Sequence, residues 1–148
     1  MNTISQKKVI ISYLITSFAI FLTSATLSMF GLLEGTSVTI GGTMSAELMM
    51  VIQFAVVLFA NGILHSLFYY GGLKSSPLAK GIGIGVVLGV SYFLVSVFAL
   101  NLYDVTADPI SLLMKGMSGR VIEYSSGGLV TALISVSDIH RWGLLRAF

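Results

Sequence analysis

Apolar residues fall along this chain in long uncharged blocks, not in the short alternations of a sheet protein. Residues 9–33, 48–73 and 81–103 carry no formal charge. Each block exceeds the roughly 18 apolar residues that mark a membrane-crossing helix, so the pattern predicts spans at about 9–33, 48–71 and 81–102. The intervening segments are a Gly/Thr-rich stretch at 34–43 and the run 74–80, where Ser75-Ser76-Pro77 reads as a tight turn. No proline falls inside the three blocks.

The last third is less uniform. Lys115, Arg120 and Glu123 interrupt an otherwise apolar segment from 109 to 137, and only 124–137 is uncharged, too short to cross alone. Either a fourth span at about 110–137 carries these charges inward, or an interfacial helix precedes a short re-entrant segment. Charge placement favours the former. With the N-terminus inside, Lys7, Lys8, Lys74, Lys80, Arg141 and Arg146 share the cytoplasmic face, while Glu34, Asp104 and Asp108 lie outside. That pattern requires an even number of spans. The expectation is an all-α, integral membrane four-helix bundle forming one domain over 1–148, in the cell membrane, with both termini cytoplasmic and Trp142 as an interfacial anchor.

Composition strengthens this picture. The 148 residues are 55% hydrophobic and 9% charged, with a mean hydropathy of +0.95, whereas a soluble domain carries about 25% charged residues. The lipid bilayer is the expected partner. Four spans leave no room for a soluble catalytic domain. The eight basic residues are scattered, with no basic stripe for nucleic acid. Cysteine is absent, which excludes disulfides, thiolate nucleophiles and Cys-ligated metals. Lys7 and Lys8 followed by Ser24-Ala25-Thr26 resemble a secretory signal, but the uncharged block is longer than a signal core of about 7–15 residues.

Several helix faces carry information. Gly81, Gly85 and Gly89 recur every fourth residue, which makes a smooth groove for another backbone, within the bundle, in a homo-oligomer or on a larger membrane partner. Gly83-Ile84-Gly85 lacks the strand-turn-helix setting of a nucleotide loop. The first block is hydroxyl-rich, with Ser12, Thr16, Ser17, Thr23, Ser24, Thr26 and Ser28. Such residues usually bond their own i−4 carbonyls or support close packing; a polar wall is the functional alternative. Gln53, Asn61 and His65 form a polar stripe on the second block that should avoid lipid. Arg120 and Glu123, three apart, are placed for an intrahelical ion pair, opposite an apolar arc of Ile110, Leu113, Met114, Met117 and Val121.

Counting inward from the outer face puts Asn61 and Glu123 at similar depth. Arg120, Glu123, Asn61, His65 and Gln53 are therefore the candidate cavity residues, with hydroxyls from Ser17 and Ser24 or from Tyr92 and Ser96. The plain alternative is that Arg120 and Glu123 only fix helix register. No cofactor, metal site or catalytic residue is expected. A haem would need His65 and His140 at one depth, Asp104 and Asp108 read as loop charges, Asp138 and His140 are an isolated pair, and no Walker loop or Gly-x-Ser-x-Gly elbow is present. The leading expectation is a protein that binds or transports a small molecule, ion or lipid. A non-catalytic assembly subunit comes second, and a lipid enzyme using Glu123 or His65 as general base third.

Overall fold

The computed structural model describes residues 6–30, 46–73, 75–99 and 109–137, and these form four helices with no strand. Helix α1 is Gln6–Met29 and α2 is Ala46–Tyr70. Helix α3 runs Pro77–Leu94 and widens into π-helical Val95–Ala99. Helix α4, residues 109–136, starts with Pro109–Ser111, passes through π-helical Leu112–Met117 and continues as Ser118–Val136. The segment 109–136 is thus helical throughout.

The start of α3 shows how local chemistry sets a boundary. The turn expected at 74–80 ends early because Pro77 occupies the first helical position, where its missing N–H costs nothing. Ser76 caps the helix by accepting from the Ala79 N–H at 3.4 Å, and Lys80 N–H already reaches the Ser76 carbonyl at 2.9 Å. At the start of α4 the π-helical turns loosen the carbonyl ladder, and the Ser118 hydroxyl bonds the Met114 and Lys115 carbonyls there.

Cross-helix contacts fix an up-down-up-down order in which each helix is antiparallel to its sequence neighbour. Ser12 meets His65 and Phe21 meets Phe54 between α1 and α2. Between α3 and α4, Gly81 meets Gly128 and Gly89 meets Arg120. Lys8 reaches Ser135, and Thr16 meets Thr131, between α1 and α4. The closest pairing is α3 with α4, followed by α1 with α4. Lys8 and Lys80 consequently lie at the same end of the bundle. Both donate to carbonyls at a helix C-terminus, Lys8 to Ser135 in the last turn of α4 at 2.8 Å and Lys80 to Gly71 just past α2 at 2.9 Å, where the helix dipole favours a cation.

The described helices expose large apolar side chains and bury several polar ones within a core that is itself largely apolar. Outward-facing positions include Phe18, Phe59, Val87, Phe98, Met114 and Val136, all exposed. Inward-facing positions include Ser12, Thr16, Asn61, Glu123 and Thr131, all fully buried. The helices α1 (Gln6–Met29) and Pro77–Phe98 are long and apolar enough to cross a membrane, and Phe54–Tyr70 is a shorter apolar stretch. Helix α4 is less apolar because it carries Lys115, Arg120 and Glu123.

Candidate functional site

The glycine face of α3 is filled from within the bundle. A methyl group at Gly85 would fall 2.6 Å from the Ser125 Cα, and one at Gly89 would fall 2.7 Å from the Arg120 carbonyl oxygen. Gly81 and Gly128 lie back to back, with each carbonyl against the other residue's missing side chain. Close backbone approach of this kind is possible only where both helices present small residues. Gly127 extends the seam to α1, where it receives the Ile20 side chain.

This tight seam positions the ion pair. Arg120 and Glu123 project from α4 into the bundle, and Arg120 Nη1 donates to Glu123 Oε2 at 2.7 Å. The guanidinium also lies over the Tyr92 ring, 4.9 Å from its centroid, and Tyr92 leans on Tyr124 at 5.6 Å. Glu123 is 0% exposed, and its second oxygen, Oε1, has no hydrogen-bond partner among the described residues. Serine and threonine secure the backbone beneath it: Ser126 donates to the Glu123 carbonyl at 2.7 Å and shares a 3.1 Å contact with Thr23 of α1.

A second polar group lies between α1 and α2. Asn61 Nδ2 donates to the Ser17 hydroxyl at 2.6 Å and to the Tyr13 carbonyl at 2.9 Å. His65 Nε2 is 3.0 Å from Ser12 Oγ, and His65 Nδ1 is 3.1 Å from the Asn61 carbonyl. A carbonyl can only accept, so Nδ1 carries the proton, and in the neutral ring Nε2 accepts from the Ser12 hydroxyl. The Tyr13 ring meets the imidazole edge-on at 5.5 Å while its hydroxyl donates to the Leu58 carbonyl at 2.7 Å. Thr16 and Thr131, 3.0 Å apart, carry the polar layer across to α4.

The helix register separates these two groups. Asn61 bonds Ser17 on α1, whereas Gly127 packs on Ile20 and Ser126 on Thr23. Glu123 therefore lies about two helical turns, on the order of 10 Å, further along α1 than Asn61. The apolar cluster of Ile20, Val57, Ala60 and Tyr124 occupies the interval, with Leu88 and Tyr92 packed against it. Arg120 with Glu123 and Asn61 with His65 are two sites on either side of an apolar layer. The depth count missed this because it assumed straight spans with equal starting levels.

Gln53 lies on α2, but its side chain is outside the described residues, as are Glu34, Lys74, Asp104, Asp108, Asp138, His140, Arg141, Trp142 and Arg146. Ser24 bonds Ser28 through its carbonyl, and Ser96 donates to the Tyr92 carbonyl at 2.8 Å. Two roles were not foreseen: Ser12 as the partner of His65, and Tyr92 as the ring beneath Arg120. The signal for Ser12 was its place with Thr16 on a repeating hydroxyl face of an otherwise apolar helix.

On the outer side of the α1–α2 seam lies an open groove of about 530 Å³ lined by Tyr13, Leu58, Phe59, Gly62, Ile63, Ser66 and Leu67. Of the residues around the α1–α2 polar group Tyr13 lines it, whereas Ser12, Asn61, His65, Arg120 and Glu123 do not. Comparison with protein-family models, with curated proteins and with solved structures finds no match for this chain.

Proposed function

We propose that this chain is a small multi-pass membrane protein that binds, or carries across the bilayer, a small molecule, ion or lipid at a buried site built on Arg120 and Glu123. The observation that carries the reading is the Glu123 carboxylate: it is fully buried, one oxygen holds Arg120, and the other is an uncommitted acceptor. Burying an ion pair costs several kcal/mol per charge before attraction offsets it, and ionisable groups within a membrane are functional candidates for that reason. A bundle needing only a fixed register already has the glycine seam of α3 and α4.

The membrane setting is supported by the apolar exterior, the polar side chains buried within it and the two long apolar helices. A cytoplasmic location for the Lys8 and Lys80 end follows the positive-inside rule and puts both termini on that side. Assembly onto a larger complex through the glycine face is less well supported, because α4 occupies that face.

The test is native mass spectrometry of the detergent-solubilised protein. Wild type retains a small molecule or lipid adduct that the double replacement R120L/E123L loses while keeping its thermal transition. A double variant that holds the same adduct as wild type refutes the assignment.

A further inference from the structure

The Ser12–His65 pair is built like the nucleophile and base of an acyl-transfer enzyme, and it is separate from the Arg120–Glu123 site. Three features of such a site are present together. The hydroxyl is 3.0 Å from His65 Nε2, within the reach a general base needs. The opposite ring nitrogen is fixed by the Asn61 carbonyl at 3.1 Å, which selects the tautomer whose Nε2 is a free acceptor. The Tyr69 ring packs on the imidazole, 5.8 Å between centroids, and its buried hydroxyl has no hydrogen-bond partner among the described residues, so an uncommitted donor stands beside the pair. Ser12 and Ser17 are both buried on α1, but only Ser12 has an imidazole partner.

The surroundings indicate the substrate. Ser12 lies one helical turn below Lys8, at the basic end of the bundle. On the membrane setting proposed above, on which this step rests, the Lys8 end lies at the headgroups and Ser12 near the depth of lipid ester linkages. The apolar groove beginning at Tyr13 runs along the same seam past Gly62 and Ile63, and its volume of about 530 Å³ is within the range of about 300–1,000 Å³ of small-molecule sites. The Tyr13 ring is the side chain shared by the groove and the imidazole.

We propose that Ser12 and His65 form a nucleophile–base dyad acting on a long-chain acyl ester, with the acyl chain in the Tyr13/Gly62/Ile63 groove. Ser12 Oγ attacks the ester carbonyl carbon as His65 Nε2 takes its proton. The bond to the alcohol oxygen then breaks, and the leaving alkoxide takes that proton from His65. Water, deprotonated by the same nitrogen, cleaves the Ser12 acyl ester, releasing a carboxylic acid and restoring the hydroxyl. Tyr69 donates to the carbonyl oxygen during attack, and the Asn61 carbonyl is a positioning group.

The experiment exposes the full chain in detergent to a decyl fluorophosphonate and maps adducts by peptide mass spectrometry. The expected result is phosphonylation of Ser12 at least ~100-fold faster than of Ser17, matching the contribution of a positioned base. H65Q should lower the Ser12 rate by a similar factor while leaving the thermal transition in place. Absence of a Ser12 adduct, equal rates at Ser12 and Ser17, or a Ser12 rate unchanged in H65Q overturns the proposal. If H65Q does not fold, the wild-type ratio of Ser12 to Ser17 decides alone.

Discussion

Gly81 and Gly128 stand carbonyl to Cα across the seam of α3 and α4, with no space for a methyl group at either position. The next turn repeats the relationship between Gly85 and Ser125, where a Cβ would approach backbone atoms that cannot rotate away. Gly85→Ala should therefore force the helices apart and destabilise the bundle by about 1–3 kcal/mol, the usual cost of overpacking. Gly83→Ala, on the same helix with nothing within 4 Å of the added atom, should be neutral or stabilising by up to about 1 kcal/mol from helix propensity. Unfolding in mixed detergent–SDS micelles measures both. Equal effects of the two substitutions would remove the seam as the reason for the glycines.

Arg120 and Glu123 should behave as a unit. Removing Arg120 alone with R120L leaves a fully buried carboxylate without its cation, and breaking a buried pair from one side costs about 3–5 kcal/mol. R120L/E123L removes both charges and should be close to wild type in stability, or above it, since apolar replacement of buried pairs is often neutral or favourable. A thermodynamic cycle over the two singles and the double measures the coupling. Additive losses would mean that the two side chains do not depend on each other in the folded protein.

How far the sequence anticipated this architecture depends on the range over which each signal acts. The blocks at 9–33, 48–71 and 81–102 mark α1, α2 and α3 because a helix that is uncharged beyond its first turn leaves a composition signal needing no partner. The spacing of Gly81, Gly85 and Gly89 likewise declares a close contact, since a period of four places all three on one face. It does not declare which helix fills that face, and α4 does so with Gly128, Ser125 and Arg120. The relation of Asn61 to Glu123 was illegible because it depends on relative helix register. The π-helical turn Leu112–Met117 lies between the start of α4 and Glu123 and shifts the count of turns by an amount that no residue type signals. The pairing of Ser12 with His65, 53 residues apart, could be read only once α1 and α2 were known to be antiparallel neighbours.

Gly127 offers a softer contact than Gly85, and the difference is testable. A methyl group at Gly127 would fall 2.6 Å from Ile20 Cγ1 and 2.7 Å from its Cδ1, atoms of a side chain that can be shortened. Gly127→Ala should destabilise by overpacking, and Ile20→Ala, which removes both of those atoms, should by itself cost about 2–5 kcal/mol. The double variant should recover part of the sum, with a favourable coupling of about 0.5–3 kcal/mol. Denaturant titrations of the four proteins give this value directly. A coupling of zero would place Ile20 and Gly127 out of contact.

The proposed membrane setting predicts that surface exposure and chemical reactivity diverge. Phe18 is 67% exposed on the middle of α1, and Ser75 is exposed in the turn between α2 and α3. In water both positions would react with a polar maleimide. In a bilayer lipid tails cover the first, while the second lies at the Lys8 and Lys80 end among the headgroups. The chain has no cysteine, so F18C and S75C can each be introduced as the sole thiol. S75C should react with a membrane-impermeant maleimide applied from the cytoplasmic side and not from outside intact cells, and F18C should stay unreactive from either side until SDS is added. Rapid reaction of F18C in native membranes would show water at that surface, and labelling of S75C from outside would invert the orientation assigned to the basic end.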